Sequence, residues 1–290
     1  TFEDQCMDMC VTSPPYWGLR DYGVDGQLGL EPTFDEYIEK LCTIFDEVKR
    51  VLNDSGTCWV NLGDTYSNKN KGDSRENPLN PKPSNNFHGS SNKYHTKSFK
   101  VNPTTPEKSL VGIPFRFAIE MINRGWILRN TIIWHKPNSM PSSAKDRFTV
   151  DFEYLFFFSK NKKYYFEQQT EPVKKVDTTR TSLNGLGNGE LAGNLRFGSN
   201  GKQRNMRTVW NISTKPYKGA HFAVFPEELI ETPIKAGCPI NGVVLDPFMG
   251  SGTTASVAKR LNRNYVGIEL NPEYLPLIQG RVDNSQGVLV

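Results

Sequence analysis

The sequence has no metal-binding pattern and no long apolar run. Its five cysteines and four histidines form no C-x-x-C pair and no metal-ligand spacing, so we expect no metal site. No apolar stretch approaches the roughly 20 residues that a membrane span needs, and no secretory signal opens the chain. The cysteines lie among apolar neighbours, which favours free, reduced thiols in a cytoplasmic protein.

The net charge of +4 is small, but it is unevenly distributed. Residues 67–108 carry eight lysines and arginines against three acidic residues, and residues 171–218 carry nine against three. Both segments are polar and lack hydrophobic periodicity. Two basic segments on an acidic body indicate a polyanionic partner. Solvated lysine-rich loops are the simpler alternative.

The hydrophobic pattern predicts an α/β fold with a mostly parallel sheet and helices on both faces. Thr33 and Glu36 form a capping box before an amphipathic helix that ends near Asn53, where Asp54-Ser55-Gly56 closes it. Other helices are predicted at residues 114–123, 225–237 and 255–261, and strands at residues 57–62, 126–134, 151–159, 243–245 and 265–268.

The segment Ser13-Pro14-Pro15-Tyr16 follows a short buried strand that ends at Thr12. The two prolines cannot donate to a sheet and keep their preceding residues extended, so the strand ends as a rigid stub with Tyr16 displayed after it. The Ser13 side chain and the Pro14 carbonyl are acceptors suited to an NH₂ group on a planar ring. A strand end with a buried tyrosine is the simpler interpretation.

A second unit, near the other end of the chain, reads as strand, glycine loop, helix and strand. The first strand delivers Asp246, the loop contains Gly250 and Gly252, and the last strand ends on Glu269. A phosphate loop would place a lysine after its last glycine, where this chain has Thr253. Two carboxylates suit a ligand with hydroxyls and positive charge, and S-adenosylmethionine fits because it has a ribose diol, an ammonium, a sulfonium and no phosphate.

Together, residues 13–16 and the segment Asp-Pro-Phe-Met-Gly-Ser-Gly-Thr at 246–253 resemble the DNA amino-methyltransferases, which modify N4 of cytosine or N6 of adenine. Residues 218–226 resemble the segment that leads into the first cofactor-side helix of that family. The order of the motifs resembles the β arrangement, with a target-recognition region between them. The resemblance implies a Rossmann-like methyltransferase fold with S-adenosyl-L-methionine as cofactor. It implies catalytic roles for Ser13, Pro14, Pro15 and Tyr16, and cofactor contacts from Phe225, Asp246, Phe248, Gly250, Gly252, Thr253 and Glu269.

The domain organisation and the partners follow from this resemblance. The predicted parts are a catalytic half (1–66 and 109–166), a basic loop (67–108), an inserted target-recognition region (167–215) and a cofactor-binding half (216–290). The expected partner is double-stranded DNA, with or without a cognate restriction endonuclease, and the chain is expected to be a monomer or homodimer from a bacterium, archaeon or phage. Candidate DNA contacts are Arg196, Lys202, Arg204 and Arg207.

The resemblance leaves the target base open. A serine before Pro-Pro favours cytosine N4, and adenine N6 is the alternative. A catalytically silent DNA-binding protein with the same fold is a more remote alternative, opposed by the intact segment 13–16. Methylation of RNA or of a protein glutamine is disfavoured by the size of the basic insertion.

Overall fold

The computed structural model describes residues 2–19, 21–67, 105–172, 203–215 and 225–285. Two compact units make up the chain: residues 1–167 with 208–290, and residues 168–207. The strands are β1 Met7–Thr12, β2 Leu52–Leu62, β3 Ile127–His135, β4 Phe152–Ser159, β5 Thr170–Pro172, β6 Gln203–Asn205, β7 Val209–Asn211, β8 Val243–Asp246 and β9 Asn264–Gly267. The α-helices are α1 Phe34–Val51, α2 Ile113–Asn123, α3 Glu227–Gly237, α4 Thr253–Arg260 and α5 Leu275–Asp283.

The larger unit is built on one sheet with the strand order β7-β3-β4-β2-β1-β8-β9. Neighbouring strands are parallel except for β4, which runs antiparallel to both β2 and β3. Helices α1 and α2 pack on one face and α3 contacts β1 and β2, with Gly237 of α3 against Thr57 and Trp59. The predicted mostly parallel α/β sheet is therefore confirmed.

Helix α1 begins as the sequence predicts and ends differently. The Thr33 hydroxyl accepts a hydrogen bond from the Glu36 amide at 3.2 Å, and the helix buries one apolar face that includes Tyr37 and Phe45. The expected closing turn at residues 54–56 is instead part of β2. The pairing of β2 with β1 shifts register between Met7 and Met9, so these turn-forming residues are accommodated as a bulge within the strand.

Strand β7 lies in a stretch that the sequence assigned to the insertion. Ile133 and Trp134 of β3 pair with Val209 and Trp210, so residues 208–215 belong to the larger unit. A strand of three residues is too short to show an alternating pattern, which is why it was not predicted.

The smaller unit contains the antiparallel pair of β5 and β6, with Glu171 opposite Arg204. Residues 68–104, 173–202 and 216–224 lie outside the described residues, and with them most of the predicted basic loop. Across the described part of the chain, none of the helices has the length and apolar character needed to cross a membrane.

Candidate active site at the carboxyl edge of the sheet

The two motifs meet because β1 and β8 are neighbours in the sheet. Met9 pairs with Val244 and Cys10 with Leu245 in parallel register, so both strands end at the same edge. At that edge the Thr12 hydroxyl donates a hydrogen bond to Asp246 Oδ1 at 2.5 Å. The residue before Ser13 thus contacts the residue that opens the glycine loop, although they are 234 positions apart.

The segment after β1 is held in place by its neighbours. The Tyr37 hydroxyl of α1 donates to the Pro15 carbonyl at 2.8 Å. The buried Trp17 side chain donates to the Glu31 carbonyl at 2.9 Å. Because prolines already fix the backbone, these contacts leave the stub a rigid support for the residues it displays.

The ring of Tyr16 is fixed at its hydroxyl and along its edge. The hydroxyl donates to Glu153 Oε2 at 2.8 Å and lies 3.2 Å from Asn61 Oδ1. Gly63 packs so closely that an added Cβ would lie 2.6 Å from Cε2 of the ring. Burial, and then the Glu153 carboxylate, raise the pKa of Tyr16 well above its usual value. The phenol therefore stays protonated, and its hydrogen bond to Glu153 keeps the ring in position.

The hydrogen bond of Ser13 makes its hydroxyl available as an acceptor. Ser13 Oγ donates its single proton to Asn61 Oδ1 at 3.3 Å. The amide of Asn61 is oriented by its donor side, which reaches Glu153 Oε2 at 3.2 Å and the Tyr154 carbonyl at 3.1 Å. With the proton committed, the Ser13 lone pairs are free to receive an N–H from a ligand.

Glu153 is held by a second charge. Lys136, at the end of β3, forms an ion pair with Glu153 Oε1, while Oε2 receives Tyr16 and Asn61. Both charged side chains are only 19% exposed. Because they pair with each other, neither charge is left uncompensated at this partly buried position. One carboxylate therefore sets the positions of the groups around Ser13.

Asp246 organises the start of the glycine loop. Its Oδ1 also accepts from the Phe248 amide at 3.0 Å, and its Oδ2 accepts from the Thr254 hydroxyl at 2.6 Å. The side chain is buried at 1% exposure. Burial raises the pKa of Asp246 to about 6, and the hydrogen bonds from Thr12, Thr254 and Phe248 limit that rise.

The rest of the loop is held by Glu269 and by its glycines. The Gly250 amide donates to Glu269 Oε2 at 2.7 Å and the Asn271 amide to Oε1 at 2.8 Å. Gly250 and Gly252 have φ values of 55° and 82°, a region that glycine adopts without strain. Because an ionised carboxylate has about four acceptor positions, Glu269 retains acceptor capacity for a ligand hydroxyl.

The other residues predicted to contact the cofactor are Phe225, Phe248 and Thr253. Thr253 is buried, and its hydroxyl accepts from Arg281 at 2.6 Å. Phe225 and Phe248 are half-buried. Within the described ranges, no group of three or more His, Cys, Asp or Glu side chains is arranged to hold a metal ion.

The candidate DNA contacts divide between described and undescribed residues. Arg196 and Lys202 lie outside the described residues. In the smaller unit, Arg204 and Arg207 both direct their Nε groups to Glu171 Oε1, at 2.8 and 2.7 Å. The two guanidinium groups are thus brought together by one carboxylate.

Sequence reasoning assigned no role to three residues of this site, namely Asn61, Lys136 and Glu153. A polar Asn61 in an otherwise apolar strand was one available signal, and Glu153 before an aromatic run was another. Both signals mark strand ends at which α/β sites gather.

Comparison with known proteins gives a consistent result. A family model described as DNA methylase, of the N6/N4 methyltransferases, matches residues 7–280. The type II methyltransferase M.Cfr9I of Citrobacter freundii is 44% identical over 279 residues, which cover 95% of this chain and 81% of that protein. The type II methyltransferase M.SmaI of Serratia marcescens is 40% identical over 288 residues, covering 97% and 85%.

Solved structures share the fold. The cytosine-N4-specific PvuII DNA methyltransferase matches with a TM-score of 0.62 at 21% identity, covering 97% of this chain and 81% of that one. The Thermus thermophilus protein TTHA0409, named "Putative DNA Modification Methylase" and solved in complex with S-adenosyl-L-methionine, matches with a TM-score of 0.59 at 22% identity, covering 98% of this chain and 88% of that one. With a family match that includes both β1 and β8, the chain belongs to the N6/N4 family of DNA methylases.

Proposed function

We propose that this chain transfers a methyl group from S-adenosyl-L-methionine to the exocyclic amine of a base flipped out of double-stranded DNA, with N4 of cytosine as the target. The observation that carries the proposal is the hydrogen bond from Ser13 to Asn61, which leaves Ser13 as an acceptor beside the Tyr16 ring. That acceptor lies at the same sheet edge as the glycine loop, joined to it by Thr12 and Asp246.

The residues around the glycine loop fit the cofactor. The spare acceptor capacity of Glu269 suits the ribose hydroxyls, and the backbone at Gly250 and Gly252 allows close approach. Phe225, Phe248 and Thr253 complete the proposed contacts, with Asp246 holding the loop in shape. When bound, S-adenosyl-L-methionine supplies an electrophilic methyl group.

The stub binds and orients the amine. Ser13 Oγ and the Pro14 carbonyl accept the two amine hydrogens, Pro15 keeps the backbone extended, and Tyr16 stacks on the base. Positioning of this kind contributes several kcal/mol to a bimolecular transfer. As the transfer proceeds, positive charge develops on the amine nitrogen, and the acceptors at Ser13 and Pro14 stabilise it more than they stabilise the neutral ground state.

A base inside a duplex cannot reach this edge, so the target nucleotide must leave the stack. The basic segments supply phosphate contacts, and Arg196, Lys202, Arg204 and Arg207 are the proposed contacts in the insertion. The similarity to type II methyltransferases supports a role beside a restriction endonuclease that reads the same site.

Cytosine is favoured over adenine by two observations. Serine precedes the Pro-Pro pair, and the PvuII enzyme, which is similar in fold, is cytosine-N4-specific. Adenine N6 is the second candidate, because a pair of acceptors binds either amine.

The decisive experiment expresses the chain in cells that lack other DNA methyltransferases, followed by mass spectrometry of hydrolysed DNA and single-molecule sequencing. We expect N4-methylcytosine at one short recognition sequence. Detection of N6-methyladenine instead would show that the target is adenine N6, the second candidate. Tyr16→Ala should abolish methylation while cofactor binding, measured by calorimetry, persists. Tyr165→Ala is the control, since the Tyr165 amide contacts the Ser55 carbonyl at 2.9 Å, near the amino end of β2. DNA without any methylated base would reject the function.

A further inference from the structure

We propose that the loop between β3 and β4, residues 136–151, is a DNA-binding element, and that Phe148 enters the duplex to fill the space left by the flipped base. This inference rests on the proposed function. It assigns a role to a loop outside the two basic segments and outside the insertion.

The loop lies at the edge of the sheet where the base must bind. Strand β4 is antiparallel to β2 and β3, so the loop that joins β3 to β4 emerges beside the carboxyl end of β2. The two ends of the loop are joined to each other, because Lys136 at its start pairs with Glu153 just after its end. Glu153 in turn receives the Tyr16 hydroxyl at 2.8 Å.

The base of the loop is firmly anchored. The Lys136 amide donates to the Asp151 carbonyl at 2.7 Å. Asn138 exchanges two hydrogen bonds with Thr214, both at 2.9 Å. A loop pinned in this way loses little conformational entropy when it binds a partner.

Two further contacts fix the second half of the loop. Asp146 pairs with Lys108 at 2.8 Å. The Arg147 guanidinium lies over the Tyr66 ring, 3.6 Å from its centroid, and Tyr66 follows β2 by four residues. The two residues that immediately precede Phe148 are therefore placed relative to the site.

Despite these anchors, the loop directs its largest apolar side chains into solvent. Phe148 is 96% exposed, Met140 is 88% exposed and Val150 is 51% exposed. Single exposed apolar residues are ordinary, but here three share one anchored loop. Burying such a side chain is favourable, and on this loop that gain is available to a partner.

The charges beside Phe148 favour DNA as that partner. Lys145 and Arg147 are exposed on either side of the acidic Asp146, and Asp146 is already paired with Lys108. Cations next to an apolar wedge suit phosphates next to an opened base step. Flipping a base costs unpairing and unstacking energy, and an aromatic ring that stacks in the gap recovers part of that cost.

The test compares Phe148→Ala with the wild type on two duplexes that carry the recognition sequence. In one duplex the target base is paired, and in the other it lies opposite an abasic site, which lowers the cost of flipping. We expect kcat/KM to fall about 10- to 100-fold on the paired duplex, because the stacking of the ring in the gap is lost. On the abasic duplex the loss should shrink to about threefold or less.

Ile240→Ala is the matched control, since Ile240 is 58% exposed just before the amino end of β8, at the opposite edge of the sheet. It should leave kcat/KM unchanged on both duplexes. A fluorescent base analogue at the target position should brighten on binding wild type and much less on binding Phe148→Ala.

Three outcomes would overturn the inference. These are wild-type kcat/KM on the paired duplex, an equal loss on both duplexes, or a change of oligomeric state in Phe148→Ala by light scattering, which would make the loop a protein interface. Absence of methyl transfer by the wild type on either duplex would reject the proposed function as well. The two failures are thus distinguishable.

Discussion

Replacing Gly63 by alanine tests the position of the Tyr16 ring. Gly63 follows the last residue of β2, and an added Cβ would lie 2.6 Å from Cε2 and 3.2 Å from Cδ2 of Tyr16. Carbon atoms in favourable contact are about 3.5–4.0 Å apart, so the ring has to move by about 1 Å. It cannot move without disturbing the hydroxyl contacts to Glu153 and Asn61.

The size of the effect follows from that displacement. Inserting one methyl group into a packed site costs about 1–3 kcal/mol of stability. A displacement of about 1 Å in a positioning group lowers the rate about 100-fold. Because Gly63 lies on the stub side of the site, the affinity for S-adenosyl-L-methionine should not change.

The measurements are the single-turnover rate of methyl transfer, cofactor affinity by calorimetry and the thermal melting temperature. Gly280→Ala in α5 is the control, since nothing lies within 4 Å of its added Cβ and alanine favours a helix over glycine. A folded Gly63→Ala protein that transfers methyl groups at the wild-type rate would refute the argument. If Gly63→Ala does not fold, Tyr16→Phe tests the same point, because it keeps the ring and loses both hydroxyl contacts.

Two further variants separate the halves of the site. Glu153→Gln keeps the shape of the side chain but weakens charge-assisted hydrogen bonds to Tyr16 and Asn61, so kcat should fall about 5- to 30-fold for a loss of about 1–2 kcal/mol. Glu231→Gln, which weakens partly buried contacts to Lys235 and Arg260 away from Tyr16, should not change kcat. An unchanged kcat in Glu153→Gln would contradict the positioning role. Asp246 has a pKa raised to about 6 by burial, so its neutral form stabilises the fold at low pH and that stability is lost as pH rises through about 6. The free energy of unfolding of Asp246→Asn, relative to that of the wild type, should therefore be more favourable at pH 7 than at pH 4 by up to about 3 kcal/mol. Melting temperatures at the two pH values measure this difference. A difference that does not depend on pH would show that Asp246 does not titrate there.

Local patterns were sufficient to predict the two motifs and most of the longer elements, but not α5 or the three-residue strands β5, β6 and β7. The capping contact at Thr33 and the glycine loop both depend on residues within a few positions of one another. The same holds for the strand that ends at Thr12, because two prolines stop it. Such features are decided by backbone chemistry that the sequence states directly.

The contacts that complete the site could not be predicted in this way. Tyr16 and Glu153 are 137 positions apart, and Asn61 and Glu153 are 92 apart. Their proximity depends on the order and register of β1, β2 and β4, and periodicity does not report either. Residues 54–56 lie within β2 rather than after a helix for a related reason, since they form the bulge between Leu52 and Thr57, which pair with Met7 and Met9 of β1.

The order of the two motifs along the chain is not what builds the site. Parallel pairing of β1 with β8 places the end of each strand at one edge, and it would do so whichever strand came first in the sequence. Thr12 then joins two separate sets of contacts, since its backbone leads into Ser13 and its hydroxyl binds Asp246. One set, around Glu153, orients the groups proposed to receive the base, and the other, around Asp246 and Glu269, shapes the loop proposed to receive the cofactor. Because Glu153 and Asp246 have different hydrogen-bond partners, changes at Glu153 should act on the rate of transfer and changes at Asp246 on cofactor affinity, and the two effects should be nearly independent.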